Sequence, residues 1–271
     1  MLFFGLHAVL NLFSREKQFE RSGELELNKI YNEDCLEGMK RIPDGSVDMI
    51  LCDLPYGTTS NKWDSIIPLD ELWERYERVI KDKGAIVLTA SQPFTTKLIS
   101  SNMNLFKYTW VWNKKKAGNF MLAKYQPMKI HEDIVVFSKE PHNYYPIKTP
   151  RKKIKVSKNY GFGDNFGNSK NDGLARSYTH RNPQSIIEVS NASQKGKVHP
   201  TQKPVALFEY LIKTYTNEGE TVLDNCMGSG TTAIASMRTG RNYIGFELDK
   251  GYFDIANDRI DKHKRDMARD N

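Results

Sequence analysis

Short, nearly continuous apolar runs that alternate with amphipathic stretches constrain this chain more than any other feature. Residues 47–52 (Val-Asp-Met-Ile-Leu-Cys), 85–89, 134–137, 221–223 and 243–246 are too short for buried helices and too apolar for strands with one wet face. They read as strands buried on both sides, with residues 28–32 and 108–112 as further strands. Residues 35–41, 69–81, 95–101, 205–215, 231–238 and 252–263 carry helical periodicity. The alternation predicts an α/β fold, a parallel, Rossmann-like sheet with helices on both faces.

One stretch breaks the pattern. Residues 139–203 hold 13 basic against 4 acidic side chains, an excess of +9 in a chain whose net charge is +7, so the remainder sums to −2. Apolar periodicity is weak there, and residues 159–168 are rich in Gly, Asn and aromatics. The stretch reads as a loop-rich insert. It is either a solvated linker or a surface on which lysines track phosphates and aromatic rings stack on bases, and basic charge interleaved with Tyr144, Tyr145, Tyr160 and Tyr178 favours the nucleic-acid surface. Arg151, Lys152, Lys153, Lys155, Lys158 and Tyr160 are its candidate DNA contacts.

With 39% hydrophobic and 27% charged residues, the chain is neither a disordered polyelectrolyte nor a membrane protein. Its three cysteines, Cys35, Cys52 and Cys226, are too scattered for a disulfide framework or a zinc site. A cytoplasmic protein without metal is expected. The apolar opening lacks a signal peptide's basic start and cleavage site, and it is too short to span a bilayer. Residues 1–24 read as an extension whose amphipathic helix caps the core or meets a partner, or else as a start placed upstream of the domain.

Two motifs carry chemistry. Asp224-Asn225-Cys226-Met227-Gly228-Ser229-Gly230-Thr231-Thr232 follows one strand and opens a helix. Its glycines let the backbone approach a ligand, the helix offers unpaired N–H groups, and Asp224 supplies an acceptor. Glu247 ends the next strand, where a carboxylate can accept both hydroxyls of a ribose. Neither a phosphate loop nor a full GxGxxG is present, so an adenosine ligand poor in phosphate is preferred to ATP or NAD. The second motif, Asp53-Leu54-Pro55-Tyr56, sets a carboxylate beside an aromatic at a strand's end. A plain turn would also use Asp and Pro there.

Together these motifs resemble those of the β-class amino-methylating DNA methyltransferases. Asp53-Leu54-Pro55-Tyr56 is similar to their (D/N/S)PPY motif, and Asp224 to Thr232 to their DPFxGSGTT motif, with the catalytic motif first and the cofactor motif last. Asn32-Glu33-Asp34-Cys35, His131-Glu132-Asp133-Ile134 and the tract from His199 to Pro204 resemble further segments. Two departures stand out: Leu54 replaces a Pro, and Asn225-Cys226-Met227 replaces Pro-Phe-x, which loosens the expected aromatic contact to the cofactor.

The resemblance implies S-adenosylmethionine as cofactor and double-stranded DNA as substrate, and leaves a homodimer and a cognate restriction enzyme open. It implies a circularly permuted methyltransferase domain with its catalytic half at 25–138, a target-recognition insert at 139–197 and its cofactor-binding half at 198–271. Asp34 would take the adenine end, Glu247 the ribose, and Asp224, Cys226, Gly228, Ser229, Gly230 and Thr231 the methionine end. Thr201 and Lys203 would reach the cofactor's carboxylate, though Lys203 reads equally well as a phosphate contact or a surface charge. Asp53 and the Leu54 carbonyl would accept the target amine's hydrogens while Tyr56 stacks on the flipped base. Asp at position 53 favours N6 of adenine. N4 of cytosine is the near alternative; a non-catalytic DNA-binding protein and an RNA or protein methyltransferase are more distant ones. His131, Trp110 and Trp112 read as packing residues.

Overall fold

The computed structural model describes residues 25–58, 64–158, 175–191 and 202–269. The expectations for residues 1–24, the loop at 159–168 with Tyr160, and Thr201 lie outside these. Two compact units form: residues 146–184, and the chain on either side of them.

The larger unit is built from β1 (Lys29–Tyr31), α1 (Cys35–Gly38), β2 (Val47–Asp53), α2 (Leu69–Val79), β3 (Ile80–Ala90), α3 (Phe94–Ser101), β4 (Phe106–Gly118) and β5 (Lys129–Phe137). The smaller unit carries β6 (Thr149–Lys158) and β7 (Ala175–Arg181). The larger resumes with β8 (Ile186–Glu188), α4 (Val205–Tyr215), β9 (Thr221–Asp224), α5 (Thr231–Arg238), β10 (Asn242–Phe246) and α6 (Lys250–Arg269).

Eight strands form one sheet in the order β1-β10-β9-β2-β3-β5-β4-β8. Buried alternation along β2 shows why it lies at the centre. Ile50 and Cys52 pack with Leu72, Trp73 and Tyr76 of α2, whereas Met49 and Leu51 pack with Leu207, Phe208 and Leu211 of α4. Such a strand has no face for water.

The sheet is not purely parallel as expected. β5 runs antiparallel to both β3 and β4, because a hairpin and not a helical crossover joins β4 to β5, and only a crossover returns a strand parallel. In the insert, β6 and β7 pair antiparallel where loops were expected. Ile186–Glu188 leaves that unit and lines up parallel to β4. Trp110 and Trp112 are core residues as expected, but His131 is exposed.

Candidate active site

β2 lies between β9 and β3, so the chain departs to opposite sides from the β2–β9 junction. Ligands of open α/β sheets sit at the carboxyl ends of strands at such a switch point. A cavity of about 890 Å³ opens there, within the range of roughly 300–1,000 Å³ usual for small-molecule sites. Asp53, Leu54, Pro55 and Tyr56 line it together with Asp34, Asp224, Cys226, Gly228, Ser229, Thr231, Glu247 and Lys203. Gly230 does not line it. That residue opens α5 with φ +79° and approaches the Ala256 backbone so closely that a Cβ would lie 3.3 Å from the Ala256 Cβ.

Asp53, the last residue of β2, is held by three donors. Tyr56 donates its hydroxyl to Oδ1 at 2.9 Å, Thr89 of β3 donates to the same oxygen, and Lys203 reaches Oδ2 at 2.6 Å. Lys203 also lies 3.4 Å from Glu132, which accepts a hydrogen bond from Lys114 at 3.1 Å. The result is an alternating chain of charges, Asp53, Lys203, Glu132, Lys114. Burial opposes the Lys203 ammonium, but Asp53 and Glu132 outweigh it and raise its pKa above the ordinary value. Burial likewise opposes the Glu132 carboxylate, and Lys203 and Lys114 prevail, lowering its pKa. Lys203 is buried, so it is not a solvated surface charge. Its ammonium is spent on Asp53 and Glu132, a pairing that the sequence reading missed.

Tyr56 stacks one face on Phe94, with ring centroids 5.3 Å apart. The turn that follows is fixed by Asp64, whose carboxylate accepts the backbone N–H groups of Tyr56, Gly57 and Thr58 at 2.8 to 2.9 Å. Burial first, then the charge of Asp53, raises the Tyr56 phenol well above its ordinary value, so it stays a donor.

The other end of the cavity is acidic. Asp34 caps α1, accepting Leu36 N–H at 2.7 Å. Asp224 accepts Cys226 N–H at 3.0 Å and the Thr232 hydroxyl, and burial pushes its carboxyl up to about 6. Glu247 accepts Gly228 N–H at 2.7 Å and Asp249 N–H at 2.9 Å, which ties the β10 end to a glycine at φ +53°. Burial raises the Glu247 carboxyl as well. Arg259 of α6 braces the turn through the Ser229 carbonyl at 2.9 Å.

A carboxylate rim around a glycine turn repels phosphate and suits a ligand with hydroxyls and positive charge. This donor set fits S-adenosylmethionine, whose sulfonium and ammonium are cationic. At the floor, Asn225 replaces the expected Pro and is anchored by the Tyr76 hydroxyl at 2.5 Å. Its Nδ2 lies 3.5 Å from the Sγ atoms of both Cys35 and Cys226, so cysteines scattered in sequence converge here. A hydrogen bond with Cys226 and then burial raise the Cys35 thiol, and burial pushes Cys52 up to about 12. These are packing thiols, not nucleophiles.

Of the candidate DNA contacts, Arg151, Lys152, Lys153 and Lys155 lie on β6, with the three lysines exposed. Among the described residues, no group of His, Cys, Asp and Glu could hold a metal ion, and no helix is long and apolar enough to cross a membrane.

Residues 47–258 match the DNA methylase family of N6/N4 methyltransferases, and the chain belongs to this family of S-adenosylmethionine-dependent DNA amino-methyltransferases. The type II methyltransferase M.BglII of Bacillus subtilis is 30% identical over 263 residues, covering 85% of this chain and 68% of the relative. M1.MboII of Moraxella bovis is 29% identical over 255 residues, covering 86% and 96%. The solved complex of M1.HpyAVI with S-adenosylmethionine superposes with a TM-score of 0.58 at 26% identity, covering 85% of this chain and 98% of that one. The cytosine-N4-specific PvuII methyltransferase shares the fold, with a TM-score of 0.61 at 16% identity over 84% of each chain.

Proposed function

We propose that this chain methylates the N6 amine of adenine in double-stranded DNA. The observation that carries the reading is one cavity lined by both Asp53-Leu54-Pro55-Tyr56 and the acidic turn of Asp34, Asp224 and Glu247. Bound at the acidic end, S-adenosylmethionine supplies an electrophilic methyl group. Asp34 takes its adenine, Glu247 its ribose, and Asp224 with the Gly228-Ser229 turn its methionine end.

The amine nitrogen of adenine is a poor nucleophile because its lone pair is delocalised into the ring. Asp53 and the Leu54 carbonyl accept its two hydrogens and favour a pyramidal nitrogen whose lone pair can attack; charge that develops there is met by a carboxylate already in place. Lys203, Tyr56 and Thr89 hold that carboxylate in one orientation, so no reorganisation is needed at the moment of transfer. Tyr56 stacks on the base once it has left the duplex, at an unstacking cost of a few kcal/mol, to order of magnitude. Arg151, Lys152, Lys153, Lys155, Lys158 and Tyr160 serve the duplex from the insert.

Asp at position 53 favours adenine. Sequencing that detects modified bases in DNA from cells expressing the protein tests the reading: N6-methyladenine at one short site is expected. N4-methylcytosine would replace the adenine assignment, and unmodified DNA would overturn both.

A further inference from the structure

The tip of the β4–β5 hairpin is an exposed surface beside the cavity. Gly118 pairs with Lys129, and every residue between them, from Asn119 to Met128, is exposed. The tip is nonetheless rich in large apolar groups: Phe120 is 77% exposed, Met121 79% and Tyr125 85%. A cluster of this kind marks an interaction surface, because water is a poor environment for it and nothing among the described residues covers it.

Two further observations choose the partner. Residues 114–131 contain five lysines and no Asp or Glu. Lys114 pairs with Glu132 and Lys115 with Glu188, but Lys116, Lys124 and Lys129 still make the surface basic, so it complements a polyanion and repels a basic protein, which disfavours a second copy of this chain with its charge of +7. The hairpin also rises from the site itself. Glu132 of β5 lines the cavity and lies 3.4 Å from Lys203, and Lys129 is three residues further along the strand, about 10 Å at the usual rise. The aromatic tip therefore begins about where a duplex must lie if one of its bases is to reach Asp53.

Building on the function proposed above, we infer that this tip is a DNA-contacting wedge: Phe120 and Tyr125 occupy or brace the stack where the target base has left it, while Lys116 and Lys124 meet phosphates. Apolar and aromatic side chains inserted at a base step are a general means of stabilising an unstacked duplex. The tip lies outside residues 139–197 in the sequence, and its task is base extrusion, not site choice.

The test uses the full-length protein and a duplex carrying the mapped site. Phe120→Ala/Tyr125→Ala is compared with Phe120→Trp/Tyr125→Phe, which keeps the rings. Each is assayed on a fully paired duplex and on one whose target base faces an abasic position and is already unpaired. With 2-aminopurine as target base, fluorescence reports extrusion. The Ala pair should lose most of the fluorescence gain and methylate the paired duplex at least about tenfold more slowly, recovering to within about threefold of wild type on the abasic duplex. The aromatic pair should behave as wild type, and S-adenosylmethionine affinity should not change. Equal rates for the Ala pair and wild type on the paired duplex overturn the wedge. So does an equal loss on both duplexes, or a loss accompanied by a change in sedimentation, which would make the tip an interface between copies. A wild-type protein that methylates no DNA would instead remove the function on which the wedge rests.

Discussion

Lys203 and Asp53 stand 150 positions apart in the chain, yet the ammonium lies 2.6 Å from the carboxylate and is itself buried. The pair joins the end of β2 to the segment that leads into α4, so one charge comes from the chain before residues 146–184 and the other from the chain after them.

Removing the cation should expose that dependence. Lys203→Met strips Asp53 of its cation and leaves Glu132 with Lys114 alone, and should cost about 3 kcal/mol of stability, as broken buried pairs do. Adding Glu132→Gln relieves the like-charge term, so the double variant should be more stable than Lys203→Met alone. A thermal or urea unfolding series measures this. Additive losses would show that the two side chains do not share one network.

Asp53→Ala should abolish methyl transfer and leave S-adenosylmethionine binding within about twofold of wild type, because in the proposed mechanism the carboxylate acts on the amine. Calorimetric titration beside a methylation assay separates the effects. Substantial turnover in the variant would remove Asp53 from the chemistry.

How much of this was legible in the sequence follows from what each feature needs. The strands buried on both faces and the carboxylates that end them, Asp53, Asp224 and Glu247, could be read because local patterning sets them. Lys203, Thr89 and Glu132 could not be joined to Asp53, since their meeting depends on the order of strands in the sheet. The antiparallel course of β5 was hidden because β4 runs on through Lys114, Lys115 and Lys116 into a tip without a tight-turn signature. β6 and β7 were hidden for a different reason: Ile154 and Val156 are exposed along with the lysines around them, so no half-buried face imprints an alternation of period two. Asp64 carried no signal at all, being one acid among many until the turn closed on it.

Cofactor affinity should fall on the acid side of pH 6. The Asp224 carboxyl is pushed up to about 6 by burial, so it is charged at neutral pH and loses its charge as pH drops. A cationic ligand should then bind progressively more weakly, by up to about tenfold per pH unit below the pKa. The fold responds with the opposite sign. A carboxyl raised from 3.8 takes up its proton more readily when folded, so its contribution to stability is present in acid and lost as pH rises through about 6. Binding titrations of wild type and Asp224→Asn from about pH 5 to 8 check this; matching pH profiles would exclude Asp224 as the titrating group.

The Asp64 carboxylate gathers the N–H groups of Tyr56, Gly57 and Thr58 and so shapes the turn that carries Tyr56. Asp64→Asn keeps one acceptor oxygen and cannot serve three donors, so Tyr56 should lose its fixed relation to Asp53 while the distant acidic end of the cavity keeps its shape. The expected result is a fall in kcat of about tenfold or more with little change in S-adenosylmethionine affinity. A purely structural role would lower thermal stability and raise the cofactor's Kd along with the loss of rate. Steady-state kinetics, cofactor titration and thermal unfolding on the one variant distinguish the two. A kcat equal to wild type would mean that the turn holds its form without Asp64.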